Sequence, residues 1–147
     1  MVEVRGAEVS TYCHSTEDCS KVIQAMKNIL PEEFREKVSI NKQIVHGYYG
    51  NPIEIYSIKL DNSVSDVFFK SILSRMSRED RALLTLTLKL RYEASRGRLY
   101  VRLSKQDAYA GRVVLLESDD VIKTVFHLKT RVSLKELEDY IKSFDKG

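Results

Sequence analysis

Polar and apolar residues alternate in several short segments of this chain, and turn-forming residues separate two of these segments. In residues 2–13 the alternation has a period of two, which is typical of a strand with one face toward solvent. Residues 38–46 and 53–60 also indicate strands. The residues between them, 47–52, read Gly-Tyr-Tyr-Gly-Asn-Pro and are of types that form turns. We therefore expect one strand, followed later by a β-hairpin.

Other segments repeat their apolar residues at steps of three and four, as one face of a helix does. The first spans residues 15–30 and the second spans residues 63–76. The last follows Ser133 and Glu136, which have the spacing of a capping box. Its apolar face would be formed by Leu134, Leu137, Ile141 and Phe144. These segments predict three amphipathic helices.

Residues 78–92 fit two patterns. Leucines recur at every second position from residue 84 to residue 90, as they would in a strand. Ser77 and Asp80, in contrast, offer a helix start, and leucines three and four residues apart share one helical face. Of the two interpretations, we favour the helix.

The remaining segments complete the predicted order of elements. Residues 98–103 alternate as a strand does, and residues 104–110 have the length of a short helix. Residues 113–117 and 121–128 predict a second hairpin. Hairpins and helices thus follow one another without regular βαβ alternation. This order predicts a single domain over residues 1–147, of the α+β class, with an antiparallel sheet packed by helices.

Composition supports a globular, intracellular protein. The chain is 43% hydrophobic and 31% charged, with only 6 Gly and 2 Pro, which excludes low-complexity and collagen-like chains. Its apolar runs are far shorter than the roughly 20 residues of a membrane span, so we expect no membrane partner. The N-terminus lacks the apolar core of a signal peptide, and the 2 cysteines are too few for a disulfide framework. We expect reduced cysteines and a cytoplasmic location.

Positive charge is concentrated in one part of the sequence. Residues 70–112 hold eleven basic and four acidic residues, a net charge of +7. The whole chain carries +3, so the residues outside this segment carry a net charge of −4. Arginine predominates in this set, and its planar guanidinium suits phosphate contacts and stacking on bases. The segment therefore predicts a basic patch that meets a polyanion, with an ordinary solvated helix face as the alternative.

No motif points to catalysis or to a cofactor. Gly-rich phosphate loops and a Gly-x-Ser-x-Gly elbow are absent from the sequence. Cys13, His14 and Cys19 are of zinc-binding types, but a structural zinc site needs four ligands and no second cluster follows. Both cysteines fall on predicted apolar faces, where free cysteine acts as a small hydrophobe. We expect a protein that is not an enzyme, with no cofactor, no metal site and two buried core cysteines.

Two segments combine aromatic and basic residues in a way that favours RNA. Tyr48 and Tyr49 lie between glycines in the predicted hairpin turn, where their rings would either stack on bases or fold back onto the sheet. In residues 98–112, Tyr100 and Arg102 would project from the same side of a strand, which would offer a ring to an unpaired base beside a phosphate contact. The predicted RNA-binding residues of this segment are Arg98, Tyr100, Arg102, Lys105, Gln106, Tyr109 and Arg112.

Three stretches of the chain also match a known family in their order. They are residues 14–18 (His-Ser-Thr-Glu-Asp), 47–53 (Gly-Tyr-Tyr-Gly-Asn-Pro-Ile) and 99–108 (Leu-Tyr-Val-Arg-Leu-Ser-Lys-Gln-Asp-Ala). With these, the chain resembles an archaeal family whose members are labelled RNA-binding proteins or predicted exosome subunits. The resemblance implies a fold similar to the large-subunit ribosomal protein that holds the 5S RNA. It also favours the helical interpretation of residues 78–92.

These observations lead to one functional hypothesis and one alternative. The first is a non-catalytic RNA-binding protein in RNA processing or ribosome assembly, with RNA-processing or ribosomal proteins as partners. The alternative is a protein-interaction adaptor or homodimeric scaffold that uses the basic face. RNA binding predicts a strong dependence of affinity on salt, whereas an adaptor keeps its protein partners after nuclease treatment.

Overall fold

A six-stranded antiparallel sheet forms the centre of the protein. The computed structural model describes residues 2–47, 49–129 and 131–145. The strands lie in the order β2-β3-β1-β6-β5-β4, and each neighbouring pair is antiparallel. Their bounds are β1 Val4–Cys13, β2 Asn41–His46, β3 Pro52–Leu60, β4 Tyr92–Glu93, β5 Arg98–Ser104 and β6 Val121–Leu128.

Among the described residues, six α-helices accompany the sheet, and local capping explains where most of them begin. Asp18, Asp61, Ser77, Ser104 and Ser133 each accept a hydrogen bond from a backbone N–H of the first turn, as N-cap side chains do. Within the described residues, no helix has the length and apolar character needed to cross a membrane. The helices are α1 Cys19–Ile29, α2 Asn62–Arg75, α3 Arg78–Leu86, α4 Leu88–Arg91, α5 Lys105–Tyr109 and α6 Leu134–Lys142.

The core lies on one side of the sheet. Alternate residues of β1, β5 and β6 are buried, and the residues between them keep partial contact with solvent. Phe126, on the buried side of β6, packs against Phe68 and Phe69 of α2, with ring centroids 5.3 and 4.7 Å apart. Helix α6 adds Leu137 and Ile141 to the same core. The opposite side of the central strands, which we call the open face, is left to solvent.

The α+β class with an antiparallel sheet packed by helices is therefore confirmed, and residues 78–92 are largely helical. The hydroxyl of Ser77 caps α3, and Leu84 and Leu88, four residues apart, are both buried. The first hairpin and the short helix after β5 are also present. The first helix begins at Cys19, after its N-cap Asp18, which is later than residue 15.

The predicted second hairpin is wrong. Residues 113–117 form no strand, and a single bridge joins Leu115 to Leu103. The backbone N–H of Leu115 donates instead to the carboxylate of Asp80 at 3.0 Å, which ties this segment to α3. A tertiary contact thus takes a backbone group that a hairpin ladder would use.

The prediction of two reduced cysteines is also contradicted, because Cys13 and Cys19 form a disulfide. Cys13 ends β1 and Cys19 begins α1, and the turn over residues 14–18 brings their Cα atoms to 5.6 Å, within the range of a disulfide. Cys13 is fully buried, as expected, while Cys19 is only half-buried. The bond joins the sheet to the first helix.

Candidate nucleic-acid interface

The register of the three central strands decides which side chains meet on the open face. In adjacent strands, Ser10 pairs with Lys123, and Lys123 pairs with Arg102. One row away, Glu8 pairs with Val125, which in turn pairs with Tyr100. The open face of these strands comprises Glu8, Ser10, Tyr12, Arg98, Tyr100, Arg102, Lys123, Val125 and His127.

Three cations of the open face have no acidic partner among the described residues. No described carboxylate lies within ion-pair distance of Arg98, Arg102 or Lys123. Arg102 donates a long 3.4 Å hydrogen bond to the carbonyl of Ser118, and the ammonium of Lys123 lies 5.4 Å from the centroid of the Tyr12 ring. Because these charges are not neutralised within the described protein, they are available to an anion.

Two tyrosine rings share this face with the cations. Tyr100 is 37% exposed, and its hydroxyl donates to the carboxylate of Glu93 at 2.7 Å, which fixes the ring at the edge of the sheet. Tyr12 is half-buried beneath Lys123. Aromatic rings on an exposed sheet surface provide flat stacking surfaces for bases.

Two carboxylates on or beside the open face are held by other groups. The carboxylate of Glu8 lies 3.2 Å from the imidazole Nε2 of His127, and Glu93 accepts from Tyr100. Lys59 stands opposite Glu8 on the neighbouring strand β3. The open face therefore carries more positive than negative charge.

Lys105 lies apart from the open face and is already occupied. Its side chain is only 10% exposed, and its ammonium lies 2.6 Å from Asp120 and 3.1 Å from Glu17. It also donates to the backbone carbonyl of Tyr12 at 2.7 Å. A phosphate would have to displace two carboxylates, so the geometry favours a role for Lys105 in holding the end of β1.

The other predicted residues of the segment 98–112 lie near a cleft between α1 and α5. Gln106 and Tyr109 line this cleft of about 510 Å³, and Lys21 lies 5.8 Å from the centre of the Tyr109 ring. Three carboxylates also line the cleft, from Glu17, Asp18 and Asp120, which makes it poorly suited to a polyanion.

Arg112 is exposed beyond α5 and pairs with Asp107 at 3.1 Å. Hydrogen bonds from Ser104 and Arg112 hold the pKa of Asp107 below its usual value, which shows that they stabilise its charged form. Arg112 is therefore a weaker candidate for a phosphate contact than the three cations of the open face.

The predicted aromatic turn lies at the tip of the β2–β3 hairpin. Tyr49 is strongly exposed there, and every residue of β2 is exposed. Tyr48 lies outside the described residues. The structure thus places this turn at the far edge of the sheet from β5, rather than beside Tyr100.

Comparison with known proteins identifies the family. A family model described as RNA binding matches residues 6–128, from β1 to the end of β6. This chain belongs to that RNA-binding family.

Similar members come from archaea. An uncharacterised protein of Methanocaldococcus jannaschii is 32% identical over 123 residues, which are 83% of each chain. A protein of Pyrococcus abyssi that is named an RNA-binding protein is 28% identical over 151 residues, covering 98% of this chain and 97% of that protein.

Solved structures share the fold. A crystal structure from Archaeoglobus fulgidus, described as a DUF54 protein, is 29% identical, with a TM-score of 0.77, and covers 97% of this chain and 99% of that one. A second DUF54 protein, from Sulfolobus solfataricus, is also 29% identical, with a TM-score of 0.79, and covers 94% and 98%. These likenesses support the α+β architecture described above for this member of the RNA-binding family.

One cluster of metal-ligating residue types is present among the described residues. Ligand atoms of His14, Glu17 and Asp120 lie within 4.8 Å of one another. The ammonium of Lys105 contacts both carboxylates, so a protein cation already occupies the position that a metal ion would take. We therefore assign this cluster a structural role.

The open face adds one aromatic ring, Tyr12, and one cation without a described ion pair, Lys123, to the residues predicted from the sequence. Tyr12 falls on the polar side of an alternating segment, and Lys123 lies between buried residues of β6. The sequence pattern therefore predicts that both side chains face solvent. Their proximity to Arg102 depends on the pairing of β1 with β6 and of β6 with β5.

Proposed function

We propose that this member of the RNA-binding family is a non-catalytic protein that binds RNA through the open face of its sheet. The observation that carries the proposal is that Arg98, Arg102 and Lys123 lie on one solvent-facing surface with no carboxylate partner among the described residues. Of the other cations predicted to bind RNA, Lys105 and Arg112 are paired with acidic groups.

The electrostatic reason is direct. Phosphate oxygens bind Lys and Arg with release of counterions, and a cation that is not paired in the protein gives up no ion pair to make that contact. Lys123 and Arg102 stand opposite each other on adjacent strands, so that one or two neighbouring phosphates could bridge them. The basic patch that we propose is therefore smaller than residues 70–112 and includes one residue, Lys123, from outside that segment.

The cellular role belongs to the same proposal. RNA binding without a catalytic site suits a subunit or assembly factor that acts in RNA processing, including association with the exosome, or in ribosome assembly. A fold similar to that of the ribosomal protein that holds the 5S RNA, which the family resemblance implies, would favour the second setting. We also propose a cytoplasmic location, because RNA processing and ribosome assembly take place there in cells without a nucleus.

The proposal predicts a change in salt dependence. Arg102→Ala and Lys123→Ala should each reduce the magnitude of the slope of log affinity against log salt by about 0.7 for single-stranded RNA, because each removes one phosphate contact. Lys135→Ala is the matched control, since Lys135 is an exposed cation on α6, away from the open face. Binding is measured by fluorescence anisotropy over a salt series, with circular dichroism to show that each variant is folded.

Two outcomes would contradict the proposal. In the first, folded wild-type protein binds no RNA at low salt. In the second, Lys135→Ala changes the slope as much as the open-face variants do.

A homodimeric scaffold is the second candidate function, and exposed leucines on α3 and α4 favour it. Leu86 and Leu90 are 84% and 88% exposed, and Leu83 lies on the same side of the helical segment. Exposed apolar clusters of this kind are typical of protein contacts. This function predicts that the wild type sediments as a dimer and that Leu86→Lys sediments as a monomer. A wild-type monomer at high concentration would reject it.

A further inference from the structure

Two aromatic rings on the open face flank the central pair of cations. From the row that contains Lys123 and Arg102, Tyr12 lies two residues toward one end of the sheet, and Tyr100 lies two residues toward the other. Tyr12 is on β1 and Tyr100 is on β5, with β6 between them. The open face thus presents a diagonal of ring, cation pair and ring.

The distance between the rings limits the form of RNA that fits both. With about 4.8 Å between strands and about 3.4 Å per residue, the Cα atoms of Tyr12 and Tyr100 lie about 17 Å apart. Successive bases in a stacked strand lie only about 3.4 Å apart. Bases on the two rings are therefore not neighbours in a continuous stack, and the backbone between them passes over the cation pair.

From this arrangement we infer that the RNA bound by the open face is single-stranded, with one unpaired base on Tyr12, another on Tyr100, and intervening phosphate on Lys123 and Arg102. The inference rests on the proposed RNA binding and adds the class of RNA and a second stacking residue. A duplex keeps its bases inside the helix, where neither ring can reach their faces, and would use only the cations.

The contacts of the free protein are compatible with this role. The ammonium of Lys123 lies over the Tyr12 ring, 5.4 Å from its centroid, rather than against a carboxylate. Its flexible stem allows it to move to a phosphate while a base takes its place on the ring. Lys105 holds the backbone of Tyr12 through its carbonyl at 2.7 Å, and Glu93 holds the hydroxyl of Tyr100. Both rings are therefore positioned before RNA arrives.

The test compares one labelled pyrimidine-rich RNA strand with the same strand annealed to its complement. We expect the single strand to bind more tightly than the duplex. Tyr12→Ala and Tyr100→Ala should each weaken single-strand binding about 5- to 150-fold, the range for loss of one stacked base, without changing the salt slope. Tyr12→Phe should retain binding because it keeps the ring.

Tyr109→Ala serves as the matched control. Tyr109 is 48% exposed, similar to Tyr100, but it lines the acidic cleft beside α5 instead of the open face. We expect this variant to bind the single strand as the wild type does. A loss equal to that of Tyr100→Ala would overturn the assignment of the stacking residues.

The outcomes separate this inference from the proposed function. If duplex and single strand bind equally, and neither tyrosine variant weakens binding while Arg102→Ala does, RNA binding stands and the single-strand inference is wrong. If only Tyr100→Ala weakens binding, Tyr12 does not stack on a base and its assignment is wrong. If the folded wild type binds neither RNA, the proposed function fails as well.

Discussion

Replacing Phe126 with Ala is expected to lower the free energy of unfolding by about 3–5 kcal/mol. Phe126 is fully buried in β6, between Ala7 of β1 and Leu99 of β5. Its ring also contacts Phe68 and Phe69, so it joins the middle of the sheet to α2. Truncation would leave a cavity at the point where the two layers meet, and urea denaturation followed by circular dichroism measures the loss.

The adjacent residue provides the control for this prediction. Val125 lies on the open face and is only half-buried, so Val125→Ala removes apolar surface without opening a core cavity. Its effect should be clearly smaller than that of Phe126→Ala. Equal losses for the two variants would mean that the buried side of the sheet is not where the structure places it.

Replacing Gly97 with Ala is expected to destabilise the protein by more than the roughly 1–2 kcal/mol that a left-handed conformation costs a residue other than glycine. Gly97 has a φ of 63°, and an added Cβ would lie 2.5 Å from the backbone oxygen of Leu128. That oxygen belongs to β6 and cannot move alone. The strand must shift, which disturbs the pairing of Arg98 with His127 on the open face.

Gly111→Ala, in the same denaturation measurement, separates the cost of a positive φ from the cost of a steric clash. Gly111 also has a positive φ, 86°, but an added Cβ would meet nothing within 4 Å. It should therefore show the conformational cost alone. If Gly97→Ala lowers the free energy of unfolding no more than Gly111→Ala does, the turn between β4 and β5 does not approach Leu128 as closely as the structure shows.

Local patterns predicted the individual elements because their causes lie within a few residues. The capping box of Ser133 and Glu136 marks the start of α6 as predicted, since both partners belong to the same helical turn. The alternation in residues 98–103 likewise identifies β5 and places Tyr100 and Arg102 on one side of it. Strand β4 has only two residues, too few to show any period.

Contacts between distant segments account for the differences between the predicted and the observed structure. Leu115 is held by Asp80, 35 residues earlier, so residues 113–117 do not form the predicted hairpin with β6. Cys13 and Cys19 meet because the turn between β1 and α1 folds back, a geometry that composition does not encode. Lys105 looks like a phosphate ligand in the sequence and is instead enclosed by Glu17 and Asp120.

The sequence by itself therefore determined the fold class, the identity of most helices and strands, and the sides of β5 on which its residues lie. Periodicity and capping depend on residues only a few positions apart, so they can be recognised without knowing which strands are neighbours. Only the tertiary structure decided which charges are neutralised and which remain available. The charges that remain available depend on strand register. A shift of β6 by one residue would turn Lys123 away from Arg102 and toward the core, and the same shift of β1 would turn Tyr12 toward the core.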